Sequence, residues 1–307
     1  MASFPLSVTR TVFAVGEHVA PKLAGRAAFE VFCRTPNPSR LAPGERRAVV
    51  AAQPLMNEAR HHCLFLRSGR AVAAYEFRPR QLERRGKAVG NTVLMLHGWR
   101  SRTEYMRALV DGYLNAGFRV LSVDLPGHGH SSGRRLNLAL AVEAARVAED
   151  WFGPFEAIVG HSFGGAVAVN AVAGAIAGVA PVSAGSIVTI ASPSSMPRIF
   201  AQFGKYMRLG PRTQDAIAGR VAEIAGRELS RFESRETLKR LDIPTLVIHD
   251  EQDAEVPCSE AREMAKAGPH VTLRLTTGLG HRRIIADQDV VQSAVAFVAA
   301  GRRLKAH

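Results

Sequence analysis

The amino-acid sequence predicts an α/β protein whose mostly parallel sheet carries helices on both faces. From residue 91 onward, short apolar segments alternate with helical segments, a pattern typical of parallel strands joined by helices. A hairpin-like pair of segments at residues 62–66 and 71–77 precedes this alternation and brings the predicted sheet to eight strands. The six later strands are predicted at residues 92–96, 119–123, 157–159, 186–190, 244–248 and 272–275.

Three parts are predicted along the chain. Residues 1–60 form an N-terminal helical extension with one or two helical patterns interrupted by prolines. Residues 61–194 and 241–307 form the core. Residues 195–240 are too long for a simple crossover and contain two segments with the pattern of amphipathic helices. Because open parallel sheets bind ligands at the carboxyl ends of their strands, we expect this insertion to form a small helical lid there. The core helices are predicted at residues 102–116, 139–151, 164–177, 259–266 and 289–299.

The chain of 307 residues has a net charge of +13, mostly from arginine. A nucleic-acid-binding protein usually concentrates its basic residues on one element or among aromatic residues. Here the basic residues are scattered, which predicts a solvated basic surface and no nucleic-acid partner. An attraction to anionic substrates, or to membranes through the N-terminal helices, stays an open alternative. The small basic groups lie at residues 46–47, 78–87, 134–135, 282–283 and 302–305.

Cysteine use and the N-terminal residues predict a cytoplasmic protein. Cys33, Cys63 and Cys258 show neither a disulfide framework nor zinc spacing, which suits a reducing compartment. Residues 1–20 lack the charged start, apolar centre and small-residue cleavage site of a secretory signal. The oligomeric state is left open.

A candidate nucleophile, Ser162, lies in the sequence G-H-S-F-G-G at residues 160–165. An apolar strand precedes this motif and a long helix of small residues follows it. Such a strand–turn–helix context holds the serine on a tight turn, which only residues without bulk at positions 160 and 164 permit. The hydroxyl then stands at a helix N-terminus, where free backbone N–H groups stabilise a developing anion.

A second serine, Ser131, matches the same G-x-S-x-G spacing. Pro126 and Gly127 break the chain between the preceding strand and this serine, and Arg134 and Arg135 follow it. This context is wrong for a strand–turn–helix nucleophile. We therefore interpret Ser131 as a loop serine.

The general base is predicted at His281, in a glycine loop that follows the last strand. His249, at the end of a strand, is the alternative base. The acid that orients the base is expected directly after the strand at residues 244–248, and Asp253 is favoured over Asp250. The resulting order of serine, acid and histidine is the order expected on this fold.

The oxyanion hole is predicted to use the backbone amides of Phe163 and Trp99. Glycine at position 98 lets the backbone approach the reacting carbonyl. Gly98, Trp99 and His161 are expected to contact the substrate.

No metal site or organic cofactor is predicted. His128 and His130 lie near Asp124 in a proline–glycine loop, but two histidines and one carboxylate fall short of a ligand set.

These motifs resemble those of the α/β-hydrolase family, in particular its lidded serine hydrolases. The matching segments are H-G at residues 97–98, D-L-P-G-H-G-H-S at 124–131 and the motif at 160–165. The resemblance covers roughly residues 60–300. It implies the α/β-hydrolase fold and places the acid at Asp253 and the base at His281. Asp250 replaces the glycine that usually follows the histidine of the acid segment.

The expected function is hydrolysis of a carboxylic ester or thioester through an acyl-enzyme intermediate formed on Ser162. The partner is then a small-molecule acyl ester or thioester. Acyl transfer to another acceptor, carbon–carbon bond hydrolysis and perhydrolysis use the same triad and stay alternatives, since fold alone does not separate them. A non-catalytic ligand-binding protein of this fold is the competing class.

Overall fold

The computed structural model describes residues 4–79 and 92–305, except the side chains of residues 4–5 and 302–305. Most of the basic group at residues 78–87 and the side chains of the group at 302–305 therefore lie outside the described residues.

The described strands form one sheet with the order β1-β2-β4-β3-β5-β6-β7-β8. The β1–β2 and β2–β4 pairs are antiparallel, and all pairs from β4–β3 to β7–β8 are parallel. The predicted mostly parallel, eight-stranded sheet is thus confirmed. The strands are β1 (Arg60–Phe65), β2 (Ala71–Phe77), β3 (Thr92–Leu96), β4 (Arg119–Val123), β5 (Phe155–His161), β6 (Ile187–Ile190), β7 (Thr245–Asp250) and β8 (Val271–Thr276).

The helices within the described ranges cover both faces of this sheet. They are α1 (Phe4–Val19), α2 (Pro21–Cys33), α3 (Pro43–Met56), α4 (Arg107–Asn115), α5 (Leu138–Phe152), α6 (Phe163–Val172), α7 (Met196–Met207), α8 (Pro211–Ala225), α9 (Ser234–Arg240), α10 (Ser259–Ala265), α11 (Gly280–Arg283) and α12 (Gln288–Lys305). Short 3₁₀ turns span Thr103–Met106, Leu229–Arg231 and Ile284–Ala286.

Strand β3 shows how the sheet divides the core into two layers. All of its residues are buried, because helices cover both faces. Leu94 and Leu96 pack in the layer of α5 and α6, whereas Val93 and Met95 pack in the layer of α4 and α12. This alternation follows from the two-residue period of a strand.

Proline positions account for two differences from the predicted N-terminal helices. The chain breaks at Ala20, and Pro21 occupies the first turn of α2, where its missing N–H costs no hydrogen bond. Pro43 likewise begins α3 instead of only interrupting a helix.

The insertion between β6 and β7 contains α7, α8 and α9. Helix α8 packs against α2, whereas α9 packs against α6 and α10 in the layer that covers the sheet. The division into extension, core and lid stays a prediction.

No single helix in the described ranges has the length and apolar character needed to cross a membrane. One pair, Gly280–Ala286 and Gln288–Gly301, passes that test jointly with a bend of 62°.

Candidate active site

Ser162 sits on a sharp turn between β5 and α6. Its φ of 53° and ψ of −124° are unusual for a residue with a side chain. A Cβ at Gly160 would collide with the backbone of Gly164, and a Cβ at Gly164 would collide with the backbone of Leu96. The absence of both side chains lets β5, β3 and α6 approach closely enough to form this turn.

Ser162, His281 and Asp253 form a continuous hydrogen-bonded chain. Ser162 Oγ lies 3.0 Å from His281 Nε2, and His281 Nδ1 lies 2.7 Å from Asp253 Oδ2. These residues follow β5, β8 and β7, whose carboxyl ends meet at one edge of the parallel sheet. The arrangement suits a serine whose proton is taken by a histidine that a carboxylate orients.

The Asp253 carboxylate is buried and well supplied with hydrogen-bond donors. Its Oδ1 accepts from the amides of Glu255 and Val256, both at 2.8 Å. Burial by itself raises the pKa of Asp253. Hydrogen bonds from His249, from His281 and from the amide of Val256 outweigh this effect and hold the pKa well below its ordinary value. The group is therefore an anion that faces His281 Nδ1.

His249, the alternative base, contacts the acid. Its Nε2 lies 3.4 Å from Asp253 Oδ2 and 2.9 Å from the carbonyl oxygen of Val256. His249 Nε2 therefore already faces two oxygen acceptors and does not face the Ser162 hydroxyl. His249 holds the segment of the acid in place, a contact that the strand-end position alone did not reveal.

Asp250, the alternative acid, holds the loop that carries the base. Its Oδ2 accepts from the amide of Leu279 at 3.0 Å and from the hydroxyl of Thr276 at 2.8 Å. His281 itself lies in the first turn of α11, whereas the sequence predicted a flexible glycine loop. The hydrogen bonds to Asp250 give the turn before α11 a defined conformation.

The predicted oxyanion loop is held by two buried histidines. His97 Nδ1 donates to the carbonyl of Gly98 at 2.8 Å, and its Nε2 accepts from the amide of Leu125 at 2.9 Å. His128 Nε2 accepts from the amide of Arg100 at 3.0 Å. Burial lowers the pKa of His97 to about 4 and that of His128 to about 3, so both rings are neutral acceptors.

The two predicted oxyanion donors are not engaged elsewhere in the described part of the chain. The Trp99 amide donates to no acceptor there. Phe163 is the first residue of α6, so its amide has no acceptor within the helix. Gly98 lies against Ser162, since a Cβ at position 98 would come within 2.8 Å of the serine Cβ.

His161 has a different environment from the expected substrate contact. The residue is 4% exposed, and its Nε2 donates to the backbone carbonyl of His281 at 2.9 Å. Burial, with a smaller effect from the nearby His281, lowers the pKa of His161 to about 4. The ring lies against His281 and holds the backbone of that residue through this hydrogen bond.

Ser131 lies in a separate hydrogen-bonded loop. Its hydroxyl donates to the carbonyl of Asp124 and accepts from the amide of Ala73 at 2.8 Å. The Asp124 carboxylate accepts from the amides of Thr103 and His130, both at 2.9 Å. These contacts fix the loop and leave the carboxylate already supplied with donors.

A cavity of about 880 Å³ opens onto Ser162. Most of its lining is apolar and aromatic, and its walls come from α2, α7 and α8 as well as from the core. The sequence placed no chemistry in residues 1–60, so the contribution of α2 was missed. The spacing of Phe29 and Phe32, on one face of α2, is the signal that could have indicated it.

Comparison with known proteins agrees with this architecture. The sequence model of a family described as "Alpha/beta hydrolase family" matches residues 93–294. A pimeloyl-[acyl-carrier protein] methyl ester esterase of Xanthomonas axonopodis pv. citri is 28% identical over 240 residues, covering 67% of this chain and 94% of the relative.

Two further relatives extend the comparison. The dihydrolipoyllysine-residue acetyltransferase component of the acetoin cleaving system of Cupriavidus necator is 30% identical over 258 residues, covering 69% of this chain and 65% of the relative. The crystal structure of an esterase from a Rhodococcus species superposes with a TM-score of 0.57 at 18% identity, covering 79% of this chain and 99% of that one. At this identity the structural likeness supports the fold alone.

Proposed function

The chain belongs to the alpha/beta hydrolase family, and we propose that it is a serine hydrolase that cleaves carboxylic esters or thioesters through an acyl-enzyme intermediate. The hydrogen-bonded chain from Ser162 through His281 to Asp253 carries this proposal. The name of a sequence relative agrees with ester hydrolysis, since it is a methyl ester esterase.

In the acylation step, His281 Nε2 takes the proton of Ser162 as the serine oxygen attacks the substrate carbonyl carbon. The Asp253 anion stabilises the imidazolium that forms. The amides of Trp99 and Phe163 donate to the carbonyl oxygen as it becomes an oxyanion. His281 then gives its proton to the departing alcohol or thiol, and the acyl group stays on Ser162.

In the deacylation step, a water molecule replaces the leaving group. His281 takes a proton from this water, which attacks the acyl carbon and forms a second oxyanion held by the same two amides. Collapse of this intermediate returns the proton to Ser162 and releases a carboxylic acid. Transfer to another acceptor is the alternative at this step, and one relative is named an acetyltransferase component.

A fluorophosphonate probe tests the nucleophile. We expect the wild-type protein to be labelled and to hydrolyse p-nitrophenyl esters. Ser162→Ala should abolish both activities, while Ser131→Ala, in the second G-x-S-x-G match, should keep the labelling. Labelling and hydrolysis that persist in a folded Ser162→Ala protein would disprove the proposal.

We also propose that α1 contacts an anionic membrane surface. Val8, Val12, Val15 and Val19 lie along one stripe of this helix and are between 48% and 79% exposed. The single carboxylate of α1, that of Glu17, is buried and accepts from the amides at the start of α8. An exposed apolar stripe on a chain with a net charge of +13 fits anionic lipid.

Vesicle co-sedimentation tests this contact. The wild-type protein should sediment with phosphatidylglycerol vesicles, less so at high salt, and much less with phosphatidylcholine. The double variant V12S/V15S should lose binding, whereas Val50→Ser, at an exposed valine of α3, should retain it. Unchanged lipid binding of the double variant would disprove the membrane contact.

A cytoplasmic location is part of this proposal. All three cysteines are unpaired, and Cys63 is exposed, which suits a reducing compartment. Fractionation of cells that make the full chain would test it.

A further inference from the structure

A continuous group of aromatic rings leads from the oxyanion loop to the N-terminal extension. The Trp99 and Phe163 rings, beside Ser162, have centroids 5.8 Å apart. The Phe32 ring of α2 lies 6.1 Å from Trp99 and 4.4 Å from Phe200 of α7. Since these rings line the cavity, the surface next to the nucleophile is continued by α2 and α7.

Helix α2 is held in this position along its length. Gly25 packs against Ala216 of α8 so closely that a Cβ there would collide with it. At the end of α2, the carbonyl of Cys33 accepts from the amide of Leu136 at 2.9 Å, and Glu30 forms an ion pair with Arg135. The wall that α2 contributes is therefore anchored both to the insertion and to the core.

The cavity behind these rings is large and apolar. Its volume of about 880 Å³ lies near the upper end of the roughly 300–1,000 Å³ typical of small-molecule sites. Ile199 of α7 and Ile224 of α8, which are far from Ser162 in the sequence, also line this cavity. An acetyl group would leave most of this apolar surface without a partner.

We propose that this cavity is an acyl-binding site for a long or bulky apolar acyl group, and that Phe32 of α2 determines its selectivity. This inference rests on the proposed ester hydrolysis. Helix α2 precedes the region matched by the family, residues 93–294, so part of the specificity comes from a segment outside that region. A long acyl chain on Ser162 extends past Trp99 and Phe32 between α2 and the insertion.

A chain-length series of p-nitrophenyl esters tests the selectivity. The wild-type protein should prefer octanoate or laurate to acetate. In Phe32→Ala, kcat/KM toward laurate should fall about tenfold through KM, the order expected for lost apolar contact in a pocket, while acetate stays within about twofold. Phe32→Leu, which retains more of the packing, should show a smaller loss. Leu23→Ala, at an exposed position of α2, is the matched control.

An equal loss toward laurate and acetate in a folded Phe32→Ala protein would contradict the proposal, because it would indicate a general structural role. No change toward laurate would contradict it as well.

A binding experiment separates this inference from the proposed hydrolysis. Laurate should bind to Ser162→Ala protein, measured by calorimetry, and additional Phe32→Ala substitution should weaken that binding about tenfold by the same argument. If laurate binds but the wild-type protein does not hydrolyse esters, only the proposed reaction is overturned. Failure of laurate to bind would overturn the acyl site alone.

Discussion

The Asp253 carboxylate lies 2.7 Å from His281 Nδ1, while the Asp250 carboxylate, also buried, holds the backbone before the same histidine at Leu279. The first contact reaches the ring of the predicted base, and the second reaches the loop that carries it. Two acids three residues apart therefore have different contacts.

The two acids should differ in their effect on catalysis. Asp253→Asn should lower kcat by about 10³–10⁴-fold, because an amide no longer stabilises the imidazolium. Asp250→Asn should lower kcat by only about tenfold and should lower the Tm, since it weakens hydrogen bonds to the loop. Steady-state kinetics with thermal unfolding of both variants measures this difference, and equal losses of kcat would contradict it.

The glycines of the nucleophile turn should tolerate no side chain. Gly160→Ala should destabilise the protein by at least about 1–3 kcal/mol, because its Cβ would meet the backbone of Gly164. Gly219→Ala, within α8 and with open space around it, should instead stabilise by about 0.5–1 kcal/mol. Urea unfolding compares the two variants, and similar stabilities would disprove the close packing of this turn.

The buried histidines should make stability depend on pH. The pKa values of His97, His128 and His161 are lowered by burial to about 4, about 3 and about 4. Below the unfolded value near 6.5, the unfolded chain binds protons that the folded protein does not. Stability is therefore complete above about pH 6.5 and is lost toward pH 4, by up to about 1.4 kcal/mol per pH unit for each ring.

Urea unfolding between about pH 7 and about pH 5 measures this loss, in a range above the ordinary pKa values of carboxylates. His128→Asn should reduce the slope by about one ring's share. A free energy of unfolding that does not change over this range would show that these rings become protonated without unfolding.

Arginines at the cavity should favour an anionic group on the substrate. Arg34 and Arg100 line the cavity, and neither side chain forms an ion pair or hydrogen bond with the described residues. The lining acids are already paired, Glu255 with Arg282 and Glu260 with Arg198. An ester or thioester with an apolar acyl group and an anionic leaving group should therefore be preferred over one with the same acyl group and a neutral leaving group.

Salt dependence measures this preference, because ions screen such attractions over about 10 Å at 0.1 M. For lauroyl-CoA, whose leaving group is anionic, kcat/KM should fall with added salt, and R34Q/R100Q should flatten that dependence. Arg40→Gln, at an exposed arginine outside the cavity lining, should behave as wild type. Equal salt dependence for charged and neutral esters would contradict the prediction.

Local pattern was sufficient to place Ser162 on its tight turn and to predict the sheet. The two-residue period of buried strands and the small residues around Ser162 both act over a few residues, where backbone sterics leave few conformations. The family and fold predicted from these patterns are confirmed. The catalytic roles of Ser162, Asp253 and His281 stay predictions, although the structure brings the three side chains together.

The partners of the histidines could not be predicted in the same way. The chain has eleven histidines, and residue type alone does not distinguish which groups each of them contacts. His281 was predicted to act on Ser162, but the sequence did not show that His249 contacts Asp253 or that His97 and His128 hold the predicted oxyanion loop. Each contact depends on how a loop turns its side chain, which residue type and spacing do not specify.

The sequence by itself therefore determined the segments that form the parallel strands and the tight turn that carries Ser162, because short-range sterics and periodicity encode them. Only the tertiary structure showed that Asp253 contacts the ring of His281 while Asp250 contacts the loop before it, and that Phe32 of α2 lines the cavity. Those contacts join residues far apart in the chain, and their geometry depends on how helices and loops pack once the sheet has formed.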